Sequence, residues 1–172
     1  MTVPDRRMFV FRHLNENLLG FVQRDLSLKL IERILKCALQ GLAALHEQDL
    51  VHNDTCIYAM TQRLVLAVDE SELLEGEDKL AIVLERQLSY FADESGFKAF
   101  MQYIGAESAW HEIFRVINSG FGKDQPRKPF ALWDGNGLDG DFKAFIGGLT
   151  NFDPAKRMTA QQALAHRWLE NV

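Results

Sequence analysis

The stretch Gly41-Leu42-Ala43-Ala44-Leu45-His46-Glu47-Gln48-Asp49-Leu50-Val51-His52-Asn53-Asp54 decides how this chain is read. An apolar helix runs into Leu45-His46, polar residues turn the chain, and the pair Leu50-Val51 delivers His52, Asn53 and Asp54 in succession. The helix begins well upstream, near Leu28, and Asp25 or Ser27 is placed to accept its first backbone N–H groups. Ile31, Ile34, Leu35, Ala38, Leu42 and Leu45 recur at three- and four-residue steps, and Leu30, Cys37 and Ala44 widen the apolar arc. Such a helix is expected to be buried over much of its surface. Asp54 reads either as a chemical carboxylate or as a structural one that bonds loop amides.

Downstream, the same helical spacing returns several times. Lys79–Phe91 places Leu80, Val83, Leu84, Leu88 and Phe91 on one face. Ser95 is the expected cap of a helix over 96–104 with Phe97, Phe100, Met101 and Ile104 as its stripe and Gly105 as its stop. Ser108 opens 109–119, whose stripe is Trp110, Ile113, Phe114 and Ile117. Asp141 is placed to cap 141–150, which carries Phe142, Phe145, Ile146 and Leu149. Thr159 and Gln162 form a capping box for a last helix over 160–170 that buries Ala163, Leu164 and Trp168. Upstream, Met8 to Leu14 reads as a short buried strand and Leu18 to Arg24 as a short helix. The acidic run from Asp69 to Asp78 reads as a solvated loop favouring the next helix start, and 121–141, with two prolines and four glycines, reads as loop. Asp134 to Asp141 has the outline of a calcium loop but fails its spacing, with Leu138, Asp139 and Phe145 where a ligand, the glycine and the bidentate Glu belong. No metal site is expected.

Composition narrows the function classes. At 172 residues and 47% hydrophobic content one globular unit is expected, and a net charge of −5 argues against a nucleic-acid or membrane-surface partner. Two cysteines, Cys37 and Cys56, make no framework and are read as reduced thiols. The sequence has neither a signal-peptide core nor an apolar run of the ~20 residues that a membrane span needs. A cytoplasmic or nuclear location is expected.

Three stretches together resemble a eukaryotic-type serine/threonine protein kinase domain. Phe9-Val10-Phe11-Arg12-His13-Leu14-Asn15-Glu16-Asn17-Leu18 is similar to the last N-lobe strand and hinge. The long helix with His52-Asn53-Asp54 is similar to the approach to the catalytic loop. Leu149-Thr150-Asn151-Phe152-Asp153-Pro154-Ala155-Lys156-Arg157-Met158-Thr159-Ala160, continuing through Ala163-Leu164-Ala165-His166-Arg167-Trp168, is similar to the end of a kinase C-lobe. The stretches 89–94 and 151–157 also look similar to a group of fungal kinase-like proteins.

The resemblance implies a mainly α fold, a kinase-like C-lobe remnant with one short N-terminal hinge strand. It divides the partial domain, 1–172, into hinge strand and linker (1–20), long helix to the start of the catalytic loop (21–54), a deletion junction (55–78) and C-lobe helices (79–172). It implies that Asp54 accepts the proton of the substrate hydroxyl, with His52 supporting the loop. Phe11 becomes the residue beside an adenine pocket, the backbones of Arg12 and Leu14 its hydrogen-bonding partners, and Asn17 a neighbour of the ribose. Arg157 becomes a buried structural arginine that pairs with the Glu of A-P-E. ATP and Mg²⁺ are the implied cofactors and a protein the implied substrate or partner.

The departures are as informative. Phosphoryl transfer depends on metal ions and a cation on the phosphates more than on covalent chemistry. No G-x-G-x-x-G or V-A-I-K occurs in the chain. Cys56 stands where the phosphate-contacting Lys belongs and Ala59 where the metal-binding Asn belongs. Neither D-F-G nor A-P-E follows. Cys56 to Met60 reads better as the later half of a central C-lobe helix, which makes Thr55-Cys56 a junction, whether of a gene model, a splice product or a decayed gene. Kinase family membership with deficient catalysis is therefore expected; the alternatives are a non-catalytic, pseudokinase-like helical interaction module and a non-functional fragment.

Overall fold

The structure, a computed structural model, describes residues 26–46, 57, 61, 63–73, 78–135 and 137–170, of which 41–46 by backbone alone. Among these residues the fold is mainly α. Six α-helices carry it: α1 (Leu28–His46), α2 (Lys79–Phe91), α3 (Glu94–Ile104), α4 (Ala109–Ser119), α5 (Gly140–Leu149) and α6 (Ala160–Leu164). The strand expected over Met8 to Leu14 and the short helix over Leu18 to Arg24 lie outside the described residues.

Two apolar cores form, and the sequence spacing explains most of both. The larger holds Leu35 and Leu39 of α1, Phe142, Phe145 and Ile146 of α5, and Ala163, Trp168 and Leu169 from the closing segment. Ile57 and Phe130 complete it. The rings interlock: Phe142 lies 4.9 Å and Phe145 5.0 Å from Trp168, centroid to centroid. The smaller core gathers Leu84 and Leu88 of α2, Ala92 and Phe114 of α4, with the partly buried stripe Phe97, Phe100, Met101 and Ile104 of α3 against them. Helix α2 serves both cores, since Tyr90 and Phe91 at its end reach Trp133 and Phe130.

Local hydrogen bonding sets the helix ends. Asp78 caps α2 through Leu80 N, and Ser108 caps α4 through Trp110 N. The cap of α3 is Asp93 rather than Ser95: its carboxylate accepts from Gly96 N at 2.6 Å and from the Ser95 hydroxyl at 3.0 Å, so the helix starts two residues earlier than the spacing suggests. Likewise Asp139, not Asp141, caps α5 through Phe142 N at 2.8 Å. Gly105 ends α3 at φ +73°, a conformation that residues with a Cβ rarely adopt. The Thr159–Gln162 capping box is present as expected. The last helix is shorter than expected, because it stops at Leu164 and His166 accepts from Trp168 N to open a separate 3-10 turn, Arg167–Leu169. That break swings Trp168 and Leu169 inward.

Three expectations about burial are corrected. Helix α1 is amphipathic and not buried all round: Leu35 and Leu39 are inside, while Leu30 and Cys37 share an exposed face with Arg33 and Gln40. On α4 only Phe114 of the stripe is fully inside, and Trp110 and Ile113 stand at the surface. The loop 121–141 is in part structural core, since the turn Phe130–Leu132 seats Phe130 at 2% exposure and Trp133 Nε1 donates to Lys128 O.

Arg127 locks this loop to the helices. Its Nη1 donates to Leu88 O at 2.5 Å and to Ala92 O at 3.0 Å, closing the C-terminal turn of α2. Nη2 donates to Asn118 Oδ1 at the end of α4, and the guanidinium lies 4.6 Å from the centre of the Phe121 ring. Burial pushes the Arg127 pKa below the ordinary arginine value, opposed by the nearby Asp93 carboxylate. Arg127→Met is expected to lower stability by about 1–3 kcal/mol, because Ala92 O loses this donor and Leu88 O is left with the Ala92 N–H alone, and Arg127→Lys to restore less than half, since a point cation lacks the fork. Urea unfolding of the three proteins checks both.

Asp93 supplies a pH dependence of known sign. Its carboxyl is held below the ordinary carboxylate range by the Gly96 N–H first, then by the Ser95 hydroxyl, with a smaller contribution from Lys156. A depressed folded value means that the stabilisation is complete above the unfolded carboxyl pKa of about 3.9 and is lost as pH falls through the folded value. Asp93→Ala is expected to cost about 1 kcal/mol at pH 7. Between pH 4 and pH 2 its unfolding free energy should converge on that of the parent chain.

Candidate functional site

Six of the seven residues that the resemblance singled out, Phe11, Arg12, Leu14, Asn17, His52 and Asp54, lie outside the described residues. The seventh, Arg157, is exposed rather than buried, and its Nε donates to Asn151 O at 2.8 Å. It gains this position from an Asx turn: Asp153 accepts from Ala155 N at 3.0 Å while the backbone N–H groups of Lys156 and Arg157 both return to Asp153 O. Lys156 pairs with the Asp153 carboxylate at 3.1 Å.

Arg157 stands on the wall of a cleft of about 320 Å³. Its floor is aromatic, formed by Phe91 of α2, Phe100 of α3, Phe114 of α4 and Phe152. Phe100 sets the arrangement, meeting Phe114 at 4.9 Å and Phe152 at 5.4 Å, both edge to face. The segment 63–67 also lines the cleft and is held down at two points. Val65 packs against the larger core, and Arg86 on α2 donates to Ala67 O while its other terminal nitrogen pairs with Glu72. Ile57 is a further lining residue; its backbone is helical, and Thr61 Oγ1 donates to its carbonyl at 2.8 Å.

Among the described residues the charge in the cleft has one sign: Arg63 and Arg157 line it, no carboxylate does, and neither arginine has an ion pair. Sequence reasoning missed this cleft. Phe100 and Phe114 were legible only as core stripes, and nothing in the sequence sets Arg63 apart; the one available signal is Phe152 and Arg157 flanking the Asp153-Pro154 turn. No cluster of three or more His, Cys, Asp or Glu side chains suited to a metal ion occurs among the described residues. Leu138 packs toward the larger core and Asp139 is committed to its cap. No helix among the described residues is long and apolar enough to cross a membrane. Cys37 is an exposed free thiol, and Cys56 lies outside the described residues.

The chain is similar to a protein from Daucus carota described as "CDPK-related protein kinase", with 34% identity over 96 residues. The match covers 52% of this chain and 15% of that protein, so it reaches only a small part of the relative. No protein-family model matches the chain, and no solved structure matches it. A region of this chain is thus kinase-like in sequence.

The aromatic floor ties the smaller core to the segment after α5. Phe100→Ala is expected to lower stability by about 2–3 kcal/mol, somewhat below the usual cost for a fully buried Phe, and to open the cleft. Thermal unfolding followed by near-ultraviolet circular dichroism checks it, because the Phe100 ring contacts vanish with the signal.

Proposed function

We propose that this chain is a helical module derived from a protein kinase C-lobe, which binds a protein partner inside the cell and does not itself transfer phosphate. The family's chemistry is ATP- and Mg²⁺-dependent phosphorylation of Ser or Thr in proteins. The observation that carries the non-catalytic reading is Ile57. Only three residues past Asp54, it is helical and 9% exposed within the core formed by Leu35, Leu39, Phe142 and Phe145. A catalytic loop instead runs extended past its Asp, to carry the Lys and the metal-binding Asn to the phosphates, whereas this chain is already helical at 57. Cys56 and Ala59, at those two positions, offer no cation and no metal ligand. Without them the charge that develops on a transferring phosphoryl group has no counter-ion, and such stabilisation is usually the largest catalytic contribution.

Support for the C-lobe reading comes from the two kinase-like stretches that the structure does describe. Helix α1 packs on α6 and on the turn Arg167–Leu169, so the stretch leading to Asp54 and the stretch ending at Trp168 share one core. Lys36 Nζ donates to Leu169 O at 3.3 Å across the same contact. The resemblance to fungal kinase-like proteins and a junction within 55–78 belong to this proposal as well. Asp54 then acts as a loop carboxylate and not as a base.

Thermal unfolding with and without excess Mg-ATP tests the reading. A ligand specific for the folded state at about 100 times its Kd adds ~2.7 kcal/mol, which corresponds to a rise of roughly 5–10 °C for a chain of this size. The expected outcome is a cooperative transition that Mg-ATP leaves unmoved, for the parent chain and for Asp54→Asn alike. A rise of several degrees that Asp54→Asn reduces, together with phosphate transfer to a protein substrate, would restore the catalytic reading. Loss of any cooperative transition would mark the chain as a fragment that does not fold alone.

A further inference from the structure

We propose that the cleft beside Arg157 is a binding site for a small anionic amphiphile, an aromatic or alkyl carboxylate whose apolar body lies against Phe100, Phe114 and Phe152 and whose carboxylate faces Arg63 and Arg157. Its volume of about 320 Å³ falls at the small end of the range for small-molecule sites, about 300–1,000 Å³. The site has the general make-up of such pockets, a mostly apolar lining with a few polar groups at its walls. Gln87 on α2 adds a neutral amide to the two guanidinium groups.

Charge selects the ligand class. The chain carries 24 acidic residues against 19 Lys and Arg, yet among the described residues both charged side chains lining this cleft are cationic. Elsewhere among the described residues Arg86, Arg115 and Arg167 are paired with Glu72, Glu112 and Asp141, Arg127 donates to two carbonyls and an amide oxygen, and Arg33 on the exposed face of α1 has no ion pair and no aromatic floor beneath it. Among the described residues Arg157 spends only its Nε, at Asn151 O, which fixes the plane of the guanidinium. A fixed fork with its terminal N–H groups unspent is suited to a carboxylate. Apolar surface below and cationic forks on the walls together disfavour neutral oils, cations and strongly hydrated inorganic anions.

The site is also held open by structure that does not depend on a ligand. The floor rings are set by their edge-to-face contacts, and the wall 63–67 is pinned by Val65 and by Arg86. Neither nucleotide nor Asp54 takes part in this cleft, and a carboxylate would bind there whether or not the chain transfers phosphate.

Isothermal titration of the full chain with naphthalene-2-carboxylate, and with naphthalene-2-methanol as its uncharged counterpart, tests the site. The carboxylate is expected to bind one to one and about tenfold more tightly than the alcohol, the size of one charge-assisted hydrogen bond. Arg157→Gln and Arg63→Gln should each weaken the carboxylate by roughly five- to tenfold and leave the alcohol unchanged, while Lys123→Gln, outside the cleft, should alter neither. If either arginine variant unfolds early, the parent chain still decides: raising salt should weaken the carboxylate and spare the alcohol. Absence of saturable binding overturns the proposal. So does equal affinity for the two probes that neither the substitutions nor salt can separate.

Discussion

Burying a guanidinium group costs free energy unless its N–H groups find acceptors, and Arg127 meets that constraint in a way that ties the two halves of this fold together. Its acceptors are the carbonyl of Leu88, which also takes the Ala92 N–H, and that of Ala92, which lies past the last turn of α2. A helix end that needs a donor and a cation that needs acceptors therefore satisfy each other, with Asn118 and the Phe121 ring completing the shell. The next residue continues the lock, since Lys128 N donates to the buried Ser89 hydroxyl at 2.9 Å. With 127–128 fixed, Phe130 is delivered into the larger core and Trp133 against Tyr90. The loop thus carries the connection between the cores that helix packing alone leaves incomplete.

The helices were legible because apolar residues at three- and four-residue steps leave little alternative, and α1, α2 and α4 fall where that spacing puts them. Their exact starts were less legible. Ser95 and Asp141 are good caps by type, but Asp93 and Asp139 are also good caps and lie nearer the preceding chain, and local spacing does not choose between them. Burial was legible only in part. Leu39 is as deeply placed as Leu35 although it stands outside the stripe read from the sequence, whereas Trp110 and Ile113 lie on the stripe and remain at the surface. Which side of a helical stripe is covered depends on partners distant in sequence. The 3-10 turn that buries Phe130 was hidden for the same reason, inside a segment whose prolines and glycines read as loop.

The site divides along similar lines. Sequence motifs pointed to Asp54 and the hinge, because kinase chemistry leaves its residue types at fixed spacings; those positions lie outside the described residues. Arg157 was legible as a member of the tail pattern, yet its surroundings were not, since the cleft is built from six segments that no local pattern connects. The match to the Daucus carota protein, at 34% identity over 96 residues, agrees with a kinase-like region and reaches no further than 15% of that protein.

The contact between α1 and the turn Arg167–Leu169 joins residues separated by as many as 133 positions in sequence, as between Lys36 and Leu169. During synthesis, at roughly 5–20 residues per second, the buried face of α1 must wait on the order of ten seconds for Trp168 and Leu169 to be made. The smaller core, built from neighbours between Leu84 and Phe121, has no such delay. Folding on the ribosome is therefore ordered from the middle of the chain outward, and Leu35 and Leu39 present the surface for which a nascent-chain chaperone would compete.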